Sequence, residues 1–98
     1  MHRLYGGASM ALHKQPALRR AVGERLRHLR QSAKISSQEK LAHRAGVHRT
    51  YIGRVERGDS GITVDMLAAI LAAMSTSLAD FFRPFTRPVQ VKTPRRRE

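Results

Sequence analysis

The segment SSQEKLAHRAGVHRTYIGRVERG, residues 36–58, decides the architecture of this chain. Ser36 and Glu39 have the spacing of a capping box, in which hydroxyl and carboxylate satisfy opposite orphan amides at a helix N-terminus. Leu41, Ala42 and Ala45 give the short helix that follows one apolar face. Gly46 marks its end, because glycine takes the left-handed conformation common just past a helix C-terminus. A second helix begins almost at once, with Val47, Ile52 and Val55 facing inward and His48, Arg49, Thr50 and Arg54 left outside. Arg57-Gly58-Asp59-Ser60-Gly61 reads as a loop by composition.

Upstream, Leu18, Val22, Leu26 and Leu29 recur at helical spacing and predict a longer helix ending near Ala33. Downstream, Thr63 is placed to cap a helix whose first turn carries Asp65 and whose core face is Leu67, Ile70, Leu71 and Met74. Ser77 and Asp80 repeat the capping-box spacing before Leu78, Phe81 and Phe82, and Pro84 ends that last helix. No alternating strand pattern occurs. The expected fold is all-α, a compact five-helix bundle over residues 17–83. A basic arm (1–16) and a basic Pro/Arg-rich tail (84–98) flank it, and both have the composition of flexible or disordered segments.

A chain of 98 residues supports one domain whose core is marginal alone, so dimerisation is expected. Nineteen Lys and Arg against seven Asp and Glu give a net charge of +12, which points to a polyanionic partner. The excess is uneven. Residues 58–82 hold no Lys or Arg and three acids, Asp59, Asp65 and Asp80, so the domain has a basic pole and an acidic pole. Such polarity orients a protein on a duplex. Cysteine is absent, which excludes disulfides and thiolate metal sites. The longest apolar run, Met66 to Met74, is far short of the roughly 18 residues a membrane span requires. No membrane partner is expected, and the location that fits is cytoplasmic and nucleoid-associated.

Catalytic signals are lacking. The histidines show no metal-ligand spacing, and there is no phosphate-binding glycine loop, paired-carboxylate site or nucleophile triad. Ser37 and Lys40 fit a Ser-x-x-Lys pattern but without its partner motifs. The expectation is a protein that is not an enzyme and uses no cofactor and no metal.

Two short helices joined by a tight glycine turn, the second one basic, meet the requirements of a helix-turn-helix. The turn sets the axes at a steep angle, so a helix over about 48–57 projects into a major groove of double-stranded DNA. Ser37-Gln38-Glu39-Lys40-Leu41-Ala42, Ala45-Gly46-Val47, Ile52 and Val55-Glu56-Arg57-Gly58 resemble the phage repressor and Cro-like (XRE) family. His48 to Gly58 is especially similar to its restriction–modification controller branch. The resemblance spans about Val22 to Phe82.

It implies roles residue by residue. His48, Arg49, Thr50 and Arg54 stand where the family reads base edges; arginine can bind guanine through two parallel hydrogen bonds. Ser37, Gln38, Tyr51 and Arg57 stand at phosphate-contacting positions, with Ser60 serving in a loop that lacks the usual basic residues. Gly53 is expected on the exposed side. Glu56 is expected to pair with Arg30 of the first helix and brace the reading helix. Relatives dimerise through their last helices, which makes Leu78, Phe81 and Phe82 the expected interface. One departure is an apparent extra residue in Ile35-Ser36-Ser37, which leaves the cap open between Ser36 and Ser37. The implied function is a sequence-specific transcriptional regulator, dimeric on a palindromic operator. The alternatives are an antitoxin that also binds a toxin, or a non-specific architectural or RNA-binding protein.

Overall fold

The structure, a computed structural model, describes residues 13–89. Most of the two basic arms lies outside the described residues. Five helices follow one another: α1 (Pro16–Ser32), α2 (Gln38–Ala45), α3 (Arg49–Glu56), α4 (Val64–Ala72) and α5 (Leu78–Phe82). There is no strand among the described residues. The all-α reading is correct.

Each helix start has a local cause. Proline opens α1, where its missing N–H would have had no helical partner. Ser37, not Ser36, caps α2: its Oγ accepts from the Lys40 amide at 3.1 Å. The Ser36–Glu39 box is thereby corrected, because Ser36 sits one residue before the cap. Thr63 and Ser77 cap α4 and α5 in the same way, accepting from the Met66 and Asp80 amides at 3.0 Å each.

The C-termini of α1 to α4 share one device. A residue in the left-handed conformation lets the next amide reach back to a carbonyl of the last turn, the Schellman arrangement. The bonds are Ile35 to Arg30, Val47 to Ala42, Asp59 to Arg54 and Thr76 to Leu71, all 2.9 to 3.0 Å. Gly46 (φ 73°) and Gly58 (φ 79°) take that conformation easily, whereas Lys34 (φ 62°) and Ser75 (φ 52°) take it against their Cβ. In the segment with the apparent extra residue, the step at Lys34 turns Ile35 into the core, where 1% of the residue is exposed.

The core is built from every helix: Val22 and Leu26, Leu41 and Ala42, Ile52 and Val55, Leu67, Ile70, Leu71 and Met74, and Phe81. Leu18, Leu29 and Val47 pack around it. Ile35 joins from the α1–α2 turn.

Two departures concern α5. Phe81, expected at a dimer interface, is fully buried inside the chain; Leu78 (38% exposed) and Phe82 (40%) are the large α5 apolar residues left at the surface. The Arg25 guanidinium holds Phe81 there by donating to the Phe81 carbonyl at 2.8 Å and the Asp80 carbonyl at 2.7 Å. Phe85, assigned to the tail, also belongs to the domain. Its ring stacks on Phe81 at 6.2 Å and meets Phe82 edge-on at 5.3 Å, because the turn after Phe82 carries the chain back over the aromatic cluster.

Candidate nucleic-acid interface

The turn between α2 and α3 is short because Gly46 ends one helix two residues before His48 caps the next. The His48 backbone is extended and its Nδ1 accepts from the Thr50 amide at 3.1 Å. From there α3 runs to Glu56, with Arg57 as its C-cap. Ile52 and Val55 face the core, and His48, Arg49, Thr50 and Arg54 are all exposed. The four residues expected to read bases therefore share the open side of one short helix.

Two helices, α1 and α2, brace α3 from behind. Arg30 on α1 donates from Nε to Glu56 Oε2 at 2.8 Å and from Nη2 to Oε1 at 3.1 Å, and its Nη1 donates to the Ile35 carbonyl at 3.0 Å. Gln38, the first residue of α2, adds a bond from Nε2 to Glu56 Oε1 at 3.0 Å. Both charged side chains are buried. Mutual pairing and further hydrogen bonds are what make buried charge tolerable. Among the described residues no buried side-chain polar atom lacks a partner. The network fixes the register of α1, α2 and α3 together.

At Gly23, which sequence reading missed, α1 passes close against the backbone of α3. A Cβ there would stand 2.3 Å from the Val55 carbonyl oxygen and 2.7 Å from that of Glu56. Only a residue without a Cβ lets α1 lie this close against the C-terminal turn of α3. A glycine on the buried side of a predicted helix, between Val22 and Leu26, was the available signal. Gly53 is a correction: it is buried, not exposed, and faces the Gln38 amide and the Arg57 guanidinium, whose atoms would lie 3.0 and 3.2 Å from an added Cβ.

The expected phosphate positions sit at the rim. Ser37 and Gln38 are half-buried at the start of α2, each already holding an intrachain hydrogen bond. Tyr51 is half-buried against the core, and burial holds its hydroxyl pKa above the usual phenol value. Arg57 is exposed and paired with Asp59 at 3.0 Å. Ser60 donates to the Gly61 carbonyl at 3.0 Å. Between α2 and the start of α3 lies an open groove of about 670 Å³ whose lining includes Lys40, His43, Arg44, His48 and Arg49, so the basic surface continues from α3 onto α2. Among the described residues no cluster of His, Asp and Glu could hold a metal, and no helix is long and apolar enough to cross a membrane.

The helix-turn-helix family HTH_3 matches residues 26–81, which takes in the braced α2–α3 pair. This chain belongs to that family of DNA-binding transcription regulators. The helix-turn-helix is similar to control protein C.BamHI of Bacillus amyloliquefaciens, 36% identical over 63 residues, which span 64% of this chain and 78% of that one. Among solved structures it is similar to the restriction–modification controller protein C.AhdI of Aeromonas hydrophila, with a TM-score of 0.61 and 36% identity over 65% of this chain and 91% of that one. It is also similar to the clp gene regulator ClgR of C. glutamicum, with a TM-score of 0.65 and 30% identity over 70% of this chain and 87% of that one.

Proposed function

We propose that this helix-turn-helix protein reads a specific duplex by inserting α3, with its flanking caps His48 and Arg57, into the major groove. The observation that carries the reading is the contrast between the two sides of α3. Its outer side holds four exposed polar residues, and its inner side is fixed by Ile52, Val55 and the Arg30–Glu56–Gln38 network. A reading element must present its side chains from a rigid base, because hydrogen bonds to base edges tolerate little misplacement. His48, Arg49, Thr50 and Arg54 are assigned to base edges, and Ser37, Gln38, Tyr51, Arg57 and Ser60 to the backbone.

The protein acts by occupancy as a homodimer. Two copies would set their reading helices about 34–36 Å apart, which suits half-sites one helical turn apart on a palindrome. Leu78 and Phe82 are assigned to the dimer contact, since they keep apolar surface in the open while Phe81 anchors α5 from inside. A DNA-bound regulator of this kind works in the cytoplasm, on the nucleoid, without a cofactor.

Selection of bound duplexes from a randomised pool, with Arg49→Ala and Arg54→Ala run in parallel, tests this. An enriched palindrome whose preference relaxes at particular positions in the variants is the expected result. Equal binding of unrelated duplexes by all three proteins would overturn sequence reading and leave an architectural role.

A further inference from the structure

We infer that His48 meets DNA as an obligate hydrogen-bond donor, because the helix it caps consumes its only acceptor. The inference rests on the reading of α3 as the element facing DNA and assigns a polarity within it. A neutral imidazole has one N–H donor and one bare nitrogen acceptor. In this structure Nδ1 accepts the Thr50 amide at 3.1 Å, so the ring proton resides on Nε2.

The geometry then fixes what His48 can bind. It is exposed at the edge of the groove between α2 and α3, next to Arg49, and its free edge is a donor only. The hydroxyl caps Ser37, Thr63 and Ser77 end at the oxygen that does the capping. An imidazole cap extends further, with a second polar atom on the far side of the ring. Its partner on DNA must accept: N7 or O6 of a purine, O4 of thymine, or a phosphate oxygen. The exocyclic amines of adenine and cytosine offer only donors there, so a step presenting one of them to His48 leaves two donors facing each other. Protonation cannot serve both tasks, since a proton on Nδ1 would end the cap.

The tautomer is read first, by long-range proton–nitrogen NMR of the free full-length protein; a proton on Nε2 is expected, and a proton on Nδ1 would overturn the inference. Binding is then compared for wild type, His48→Ser and His48→Asp, both of which keep a cap acceptor, the second with no donor at all. At the operator position whose preference relaxes in the variants, the base is replaced by an analogue lacking the major-groove acceptor, such as a 7-deazapurine. In a second arm the neighbouring phosphates are replaced singly by methylphosphonates. Wild type should lose about fivefold on one arm, the loss of one hydrogen bond, while neither variant loses more. Loss on the base arm assigns His48 to a base edge, and loss on the phosphate arm to the backbone. Equal losses by wild type and both variants on both arms would overturn the donor role. If wild type selects no sequence at all, the base-reading proposal fails, and the phosphate arm alone decides the donor.

Discussion

Gly23 of α1 lies so close to Val55 of α3 that a methyl group on Gly23 would stand 2.3 Å from the Val55 carbonyl oxygen. The atom in the way is backbone, so it cannot swing aside as a side chain would. In an open helix, glycine to alanine would gain up to about 1 kcal/mol of propensity. At Gly23 the clash should reverse the sign, and Gly23→Ala is expected to destabilise by about 1–3 kcal/mol, the usual cost of overpacking. Because the displaced element is the reading helix, affinity for the selected duplex should fall as well. Urea unfolding checks the first effect; a higher midpoint than wild type would mean that the two helices are not in this contact.

The Arg30–Glu56 pair leads to a second expectation. Removing one partner strands a buried charge, at a cost of about 3–5 kcal/mol. Glu56→Ala or Arg30→Ala should therefore unfold much of a domain whose whole stability is of order 5–15 kcal/mol. Removing both charges should be far milder, so Arg30→Met with Glu56→Leu is expected to recover most of the loss. Gln38 then loses its acceptor. The double variant should fold yet bind DNA less well than its stability alone would dictate, measured as thermal unfolding beside duplex affinity.

These two relationships show what was legible in sequence. The Arg30–Glu56 pair lay within reach because the resemblance carried it. The five helices followed from apolar spacing and caps, since both are local. Gly23 was missed because close approach of two backbones is a tertiary fact, at which a glycine on the buried side beside Val22 and Leu26 only hints. The burial of Ile35 was not legible, because spacing compared with the family shows only an extra residue in Ile35-Ser36-Ser37 and not the left-handed step at Lys34 that turns Ile35 inward. Phe81 was placed at an interface because Leu78, Phe81 and Phe82 are alike in hydropathy and only the fold separates the inward ring from the outward ones. Gly53 was placed outside for a related reason: a residue without a side chain gives no sign of which face it occupies.

The left-handed residues allow the conformational contribution to be isolated. Lys34 holds the position at the end of α1 that glycine holds at the end of α2. Lys34→Gly removes a steric penalty of about 1–2 kcal/mol and adds a smaller entropic one, so a gain of about 0.5–1 kcal/mol is expected. Gly46→Ala should lose about 1 kcal/mol through backbone strain alone, since nothing stands within 4 Å of an added Cβ. Opposite shifts in urea midpoint, with unchanged slope, are the expected pattern.

The Asp80 carboxyl is held below the usual carboxylate range, first by hydrogen bonding with Arg83 and then with Ser77, reinforced by the Arg83 charge. A lowered folded pKa means that its contribution to stability is present above the unfolded pKa and is lost as pH falls through the folded value. The affected window therefore lies on the acid side of ordinary aspartate titration. Arg83→Ala should move the Asp80 midpoint up toward the usual range in a carboxyl NMR titration. An unmoved midpoint would show that Arg83 is not the cause.

Asp59 bears on DNA affinity through Arg57. Their exposed ion pair, 3.0 Å long, contributes at most about 1 kcal/mol to stability. On DNA it works the other way: the carboxylate occupies a guanidinium assigned to a phosphate and adds its own repulsion. Asp59→Asn should therefore tighten binding to every duplex by a similar factor, leave the selected sequence unchanged and steepen the salt dependence by about one phosphate contact. Arg57→Ala should weaken all duplexes alike and flatten that slope, whereas Arg49→Ala should relax one position by about 1–3 kcal/mol. The decisive comparison combines the first two changes. With Arg57 already gone, Asp59→Asn can relieve repulsion but cannot release a guanidinium, so its gain should shrink. An undiminished gain would mean that Asp59 acts on the DNA directly and does not hold Arg57 back from the backbone.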